Sequence, residues 1–506
     1  MSHENTAKQA VLIGIVVFVS YAYFYPGGGW NQNTRFDFVR AIVERGTLNI
    51  DAYHENTGDK VLKAGHWYSD KAPGQPLLAL PAAVGVRTAI RATGTDPLSP
   101  RCLVALAYFC TLFSVSLPTA LGSVCLFWIA LRMGWSAGAA AFGALTMGLG
   151  SPMWAYAILF WAHAPAGACL LFAFAAVLLL DPTKSGRDVW LGFVSGLAAG
   201  WATVTEYPAA PASAIVALYA VARVRNSGWP RRLRVAAGVG GGALLCVLVL
   251  MLYLRASFGS ALHFSYSYYD PNAFPWMNRG FLGLRYPRID VAFKLLIGLK
   301  RGLFIAAPAL IVAPAGLWLL WKRPSTRGAG LTAAAVFVYY LLFNASFGEW
   351  SAGWSYGPRY MAAGIPLLCV GLAPAWDHLR KKGKAVLVVL LVVSVMFSLI
   401  AVSTTPQPPF QYRSPMTQLL WPAFWSGSLS LERTSMLAPF DADSPGAHGA
   451  FNLGQLVGLR GLASLLPLQG IWVLAAYIWL TMRKREREIL SIVGHEGLAH
   501  RLNRPS

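Results

Sequence analysis

Residues 31–76, NQNTRFDFVRAIVERGTLNIDAYHENTGDKVLKAGHWYSDKAPGQP, decide how the rest of the chain is placed. The stretch directly follows the first apolar run, residues 9–26. It nevertheless carries six of the chain's 21 acidic residues: Asp37, Glu44, Asp51, Glu55, Asp59 and Asp70. Six basic residues (Arg35, Arg40, Arg45, Lys60, Lys63 and Lys71) and two histidines, His54 and His66, lie among them. A polar, acid-rich segment hung on an apolar scaffold suggests chemistry at a membrane surface. The residues that follow, 73–91, either span the membrane or lie on it, and that choice sets the side of every later loop. Arg87 and Arg91 interrupt the run and prolines open it, which suits an interfacial helix.

The composition points to a membrane scaffold. Of 506 residues, 56% are hydrophobic and 12% charged, with a mean hydropathy of +0.49. A soluble protein of this length carries about twice that charged fraction. The net charge of +21 is concentrated in short loops between apolar runs. That is a pattern of membrane topology and anionic-lipid contact, so membrane lipids are expected partners and nucleic acid is not. The six cysteines (Cys102, Cys110, Cys125, Cys169, Cys246 and Cys369) all fall inside apolar runs, and no CxxC occurs. Disulfide, structural zinc and redox roles therefore have little support. Residues 9–26 lack a small-residue cleavage site and read as an uncleaved anchor helix.

Further runs long enough to suggest spans fall at 102–131, 136–151, 163–180, 189–207, 209–222, 235–254, 302–321, 329–345, 360–376, 385–402 and 466–482. With 73–91 on the surface, the basic loops Arg223–Arg234, Lys322–Arg327 and Arg380–Lys384 share one side with the basic tail. The positive-inside rule makes that side cytoplasmic. The expectation is an all-α polytopic membrane protein with about 12 spans, range about 10–13, and both termini cytoplasmic. Its membrane segments would be 1–26, 102–254, 302–402 and 466–482. Its outside segments would be 27–101, 255–301, 346–359 and 403–465, and 483–506 would form the tail. His163, Glu206, Arg255 and Arg359 stand at run ends on the outer face, near the acid-rich segment. Each suits either a functional site or an ordinary headgroup anchor. The near-absence of charge at the midplane argues against a coupled transporter.

Moving a sugar off a lipid phosphate calls for a base at the acceptor hydroxyl and cations at the leaving phosphate. Candidate bases in the first outside segment are Asp37, Asp51 and Asp59. Candidate phosphate partners are Lys60, Lys63 and Lys71, with Arg359 arriving from a distant loop. The plainer reading is an amphipathic surface helix, with Phe36, Val39, Ile42 and Val43 on one face and Asp37, Arg40 and Glu44 on the other. His54 and His66 lack tight ligand spacing, so no residues are assigned to a metal. Asp441-Ala-Asp443 keeps a divalent cation as a candidate, and no other cofactor is called for. The second outside segment, HFSYSYYDPNAFPWMNRGFLGLRYPR (263–288), is crowded with aromatic rings that suit sugar stacking and interfacial belts alike.

One apolar helix followed by TRFDFVRAIVERGTL, and then YSDKAPG leading into further helices, resembles the GT-C membrane glycosyltransferases. The likeness is greatest to the branch of the protein O-mannosyltransferases and the lipid A aminoarabinose transferase. Thr34-Arg35-Phe36 is similar to that branch's ThrArgTyr-like stretch, and Tyr68-Ser69-Asp70-Lys71-Ala72-Pro73 to its TyrPheGluLysProPro-like motif. Gly357-Pro358-Arg359-Tyr360, entering a helix with Pro366, resembles a recurrent GT-C signature. The resemblance covers residues 1–210 and 346–370. It implies a GT-C-like bundle with periplasmic loops and interfacial helices, a catalytic Asp in the first loop, and Lys71 approaching the phosphate of a polyprenyl-phosphate donor. One departure stands out. Where the family carries acids just before the ThrArgTyr-like stretch, this chain has Asn31-Gln32-Asn33, and an amide is no general base.

The expected function is inverting transfer of a sugar from a polyprenyl-phosphate donor to a cell-envelope glycan, lipid or protein. It would take place at the periplasmic face of the bacterial inner membrane. The expected catalytic base is Asp37 or Asp51, with Asp59 behind them. The expected substrate and phosphate site comprises Arg35, His54, Lys60, Tyr68, Asp70, Lys71, His163, Glu206, Arg359 and Tyr360. The alternatives are a glycan ligase or polymerase using a diphosphate-linked donor, and a non-catalytic flippase for lipid-linked sugars.

Overall fold

The computed structural model describes residues 3–181, 183, 186–270, 272, 274–432, 434–437 and 449–502, with side-chain surroundings for those between 5 and 484. Asp441 and Asp443 lie outside the described residues. The chain enters through α1 (His3–Ala22) and a short strand β1 (Phe24–Tyr25). The acid-rich segment then forms α2 (Trp30–Arg40), a π-turn at Ala41–Arg45, the hairpin β2 (Lys60–Lys63) and β3 (His66–Ser69), and leads into α3 (Gly74–Ala92). Next come α4 (Pro100–Thr111) and α5 (Leu117–Arg132), joined through a π-turn into one 33-residue span. α6 (Ala137–Gly148), α7 (Met153–Ala157), α8 (His163–Leu179), α9 (Asp188–Thr205), α10 (Ala210–Arg223) and α11 (Trp229–Phe258) follow. The second half holds α12 (Ile289–Ile297), α13 (Leu303–Ala306), α14 (Ala313–Lys322), α15 (Arg327–Ser346), α16 (Ile365–Cys369), α17 (Leu372–His378) and α18 (Lys381–Thr404). It closes with α19 (Trp421–Trp425), β4 (Phe451–Asn452), α20 (Leu453–Leu456) and α21 (Leu466–Leu502).

The protein is a helical, polytopic membrane protein, and each apolar run read from the sequence carries helix. Among the described residues, 6 helices are long and apolar enough to cross a membrane, or 7 if the α16–α17 pair, bent by 47°, is one span. The difference from the expected dozen lies in short and broken helices. α6 has 12 residues and α10 has 14, and a helix of 12 residues rises about 18 Å against a hydrocarbon core of about 30 Å. The run at 302–321 is interrupted by a 3-10 turn at Pro308–Val312, because proline removes a helical donor.

Glycines set the contact between α9 and α11. A Cβ on Gly196 would lie 2.0 Å from the Val239 carbonyl oxygen, and one on Gly242 would lie 2.2 Å from that of Phe193. Gly192, Gly196 and Gly200 on α9 thus face Gly238 and Gly242 on α11 at four-residue spacing, which lets the backbones touch. At the loop end, β1 pairs antiparallel with β4, and the Gly28 amide donates to the Thr434 carbonyl at 2.8 Å. Residues 434 and 451–452 are thereby tied to residues 24–28.

The expectation of a surface helix with a solvated polar side is corrected. Residues Asn31 to Arg40 of α2 are all buried. Phe36 meets Phe160 edge-on at 6.1 Å, and Phe38 meets Tyr253 at 5.4 Å. The polar side is covered too: Glu44 receives Arg40 at 3.0 Å, Arg87 of α3 at 3.3 Å and the Tyr53 hydroxyl at 2.8 Å. Tertiary packing on both faces overrides the amphipathic pattern.

Candidate active site

Two tight backbone features gather the site. A Cβ on Gly74 would lie 2.6 Å from the Thr205 amide nitrogen, so glycine lets the start of α3 rest against the end of α9, next to Glu206. In the hairpin turn, Ala64 and Gly65 take left-handed conformations (φ 52 and 83), folding β3 back so that Lys60 pairs with Ser69. Asp59, one residue before β2, then stands beside Asp70 and Lys71, which follow β3.

Lys71 Nζ lies 3.0 Å from Asp59 Oδ2 and 2.7 Å from Asp70 Oδ2. Asp70 Oδ1 is buried with no hydrogen-bond partner among the described residues. Burial, partly offset by Lys71 and reinforced by Asp59, pushes the Asp70 carboxyl up to about 6. Burial by itself would lower Lys71, but Asp59 and Asp70 hold it above its ordinary value. A charged lysine therefore sits between two acids, one of which takes up a proton readily.

A second cluster adjoins it. Arg359 Nε donates to His163 Nε2 at 2.9 Å, and His163 Nδ1 is 2.7 Å from Glu206 Oε1. An arginine N–H can only donate, so Nε2 accepts, and the ring proton sits on Nδ1 and is given to Glu206. The guanidinium stacks 4.0 Å above the Trp161 ring, whose Nε1 donates to Gln32 Oε1 at 2.7 Å. Glu206 Oε2 is buried without a hydrogen-bond partner among the described residues. Arg35 joins the two clusters. Its charge is felt by Asp70, Glu206 and Arg359, and it is aimed by donating to Asn31 Oδ1 at 3.1 Å and to the Ala72 carbonyl at 3.3 Å. Tyr266 stands in the field of Lys71, Asp70 and Arg35. Tyr360 stands in that of Arg359 and Lys71.

The other candidates lie apart from this centre. Asp37 is fully buried: Oδ1 accepts from Asn56 Nδ2 at 3.1 Å, and Oδ2 has no hydrogen-bond partner among the described residues. Burial pushes its carboxyl well above the usual range. Asp51 braces the hairpin, 2.6 Å from His66 Nδ1 and accepting from the Trp67 amide at 2.6 Å. Lys60 donates to the His54 carbonyl at 2.7 Å and lies 4.9 Å from the Trp67 ring centre, and His54 stacks on that ring. Burial lowers His54. Tyr68 packs on Phe258 at 5.3 Å. Lys63 lies 5.7 Å from the Tyr268 ring centre, and Arg255 is exposed on α11. No group of three or more His, Cys, Asp or Glu among the described residues is arranged to hold a metal ion.

The amides at 31–33 have structural partners. Asn31 aims Arg35 and Gln32 holds Trp161, while Asn33 Nδ2 donates to the carbonyls of Asn56 at 2.8 Å and Ser435 at 3.0 Å. Sequence reading misses Trp161, includes Gln32 only as part of the amide departure at 31–33, and includes Tyr266 only as one ring of the aromatic segment 263–288. For Trp161 the one signal is position, two residues before His163.

No protein-family model and no curated protein matches the sequence. Among solved structures the fold is similar to that of ArnT, the lipid A aminoarabinose transferase, from Cupriavidus metallidurans. The structure of ArnT bound to undecaprenyl phosphate matches at 18% identity and a TM-score of 0.51, covering 79% of this chain and 65% of that one. The apo structure matches at 17% identity and a TM-score of 0.51, covering 94% and 75%. The Archaeoglobus fulgidus oligosaccharyltransferase matches at 11% identity and a TM-score of 0.45, covering 80% and 56%. The chain thus has a GT-C fold, and it spans 65% of the length of the lipid-bound ArnT structure.

Proposed function

We propose that this GT-C-fold protein moves a sugar from a polyprenyl-phosphate donor to a hydroxyl of a cell-envelope glycan, lipid or protein, at the periplasmic face of the bacterial inner membrane. The observation that carries this reading is Lys71, held by Asp59 and Asp70, with Arg35 in the field of the same Asp70, and with Arg359 and Lys71 both in the field of Tyr360. Lys71 and Arg359 hold the donor phosphate, the lysine as a point charge and the arginine as a planar fork. The binding of undecaprenyl phosphate by the structurally similar ArnT supports this donor class.

Of the three candidate aspartates, Asp59 is the one in contact with Lys71, and its side chain keeps some exposure (12%). Phosphate binding at Lys71 frees the Asp59 carboxylate to take the proton of the acceptor hydroxyl. The acceptor oxygen bonds to the anomeric carbon as the carbon–oxygen bond to phosphate breaks, and the bonding pair leaves with the phosphate. A single displacement of this kind inverts the anomeric centre. Lys71, Arg35 and Arg359 balance the charge that develops on the leaving group.

Transfer from a labelled polyprenyl-phosphate sugar to an acceptor extract tests the reading. Lys71→Ala and Asp59→Asn should each lower transfer by about a hundredfold or more. Asp51→Asn and Asp37→Asn should retain most of it. Undiminished transfer by the lysine variant would overturn the donor site, and undiminished transfer by D59N would overturn the base.

A further inference from the structure

Arg301, just before α13, is 1% exposed, and among the described residues no carboxylate forms an ion pair with it. A buried guanidinium is costly unless its N–H groups are satisfied. Here a single loop satisfies them. Nε donates to the Ser351 carbonyl at 2.8 Å, Nη2 to that of Gly353 and Nη1 to that of Ser355. These are alternate carbonyls on the loop that runs into Arg359. The loop can wrap because Ala352 and Gly353 both take left-handed conformations, φ 60 and 61. Between the carbonyls that serve Arg301, the Ala352 carbonyl instead accepts from Arg359 Nη1 at 3.4 Å. The exit of the loop is pinned as well. The Tyr356 amide donates to the Pro406 carbonyl at 3.0 Å, and its hydroxyl donates to the Ala306 carbonyl at 2.9 Å.

We infer that Arg301 is a positioning residue: it holds residues 351–355 in a crown of alternating carbonyls, and through Ala352 it sets the orientation in which Arg359 meets the donor phosphate. The functional part rests on the proposed reading that Arg359 binds that phosphate. A lysine cannot replace Arg301, because one ammonium on a flexible stem does not span three carbonyls as a planar fork does. Sequence alone hides the role, since Lys300-Arg301 at the start of an apolar run reads as an ordinary headgroup anchor.

The test uses the full chain in lipid nanodiscs, comparing wild type with Arg301→Lys, Arg359→Ala and the double variant. Undecaprenyl phosphate affinity and hydrogen exchange of residues 347–358 are measured. R301K should speed exchange in the loop more than elsewhere in the chain and weaken binding about tenfold. The double variant should bind no more weakly than R359A, because Arg301 acts through Arg359. Unchanged exchange in R301K, or independent multiplication of the two binding losses, overturns the inference. If R359A binds as tightly as wild type, the phosphate-site reading itself fails. That outcome is distinct, because loop exchange in R301K still reports the crown.

Discussion

The two ends of α9 carry the same kind of chemistry and do opposite things with it. At one end, Asp188 receives Arg231 through two bonds, Nε to Oδ2 at 2.8 Å and Nη2 to Oδ1 at 2.9 Å. The same guanidinium also reaches the Ser227 hydroxyl at 3.2 Å and the Asp181 carbonyl, so both acid oxygens and the arginine fork are satisfied. At the other end, Glu206 uses one oxygen on His163 and leaves Oε2 buried without a hydrogen-bond partner among the described residues, with Arg359 one histidine away. A closed ion pair is a staple between α9 and α11. The other end stays open: Glu206 keeps an orphan oxygen, as does Asp70, and it is there that the donor site is proposed. An orphan oxygen does not mark the site by itself, since Asp37 Oδ2 is buried without a hydrogen-bond partner among the described residues as well. What sets the Glu206 end apart is that its carboxylate lies near Arg35 and Arg359.

The contrast can be broken by experiment. Arg359→Ala should lower sugar transfer by about a hundredfold or more while leaving the thermal midpoint nearly unchanged. Equal losses of folding and transfer would make that end a staple too. Asp188→Ala should behave oppositely, costing about 3–5 kcal/mol of stability because it strands a buried guanidinium. Transfer per folded molecule, measured after removing aggregate, should match wild type. The third test is titration. Asp70 holds its proton more tightly when folded than unfolded, so its burial penalty is absent below about pH 4 and grows as pH rises through about 6. Between about pH 4 and 6, Asp70→Asn should therefore gain in stability on wild type as pH rises, and hold that gain above about pH 6. Melting curves across that range read the difference, and a constant offset would refute it. Smallest, Gly196→Ala should cost about 2 kcal/mol through its clash with the Val239 carbonyl. That variant should loosen both ends of α9 together, as seen in hydrogen exchange near Asp188 and Glu206.

Much of the fold was legible because spanning a bilayer leaves a composition that no soluble protein shares: long apolar runs and few charges. That signal placed the helical runs and singled out Asn31–Pro76, and local motifs marked Lys71 and Arg359. What stayed hidden was whatever depends on contacts between distant residues. Phe36, Val39 and Ile42 repeat as a surface helix would, but the packing of α3 and of residues 435–436 leaves Asn31 to Arg40 of α2 all buried. By sequence Asp37 and Asp51 stood ahead of Asp59, Asp37 as the carboxylate nearest the amides at 31–33. Tertiary structure buries the first against Asn56, spends the second on the hairpin and stands the third against Lys71. The sequence by itself determined that this is a helical membrane protein with a charged loop beside its bundle, because hydropathy is a property of each residue and survives without a fold. Only the tertiary structure decided which charges meet. Coulomb interactions and hydrogen bonds act over a few ångströms, and that proximity is created by a hairpin turn, the bare backbone of Gly74 and a loop arriving from residue 359.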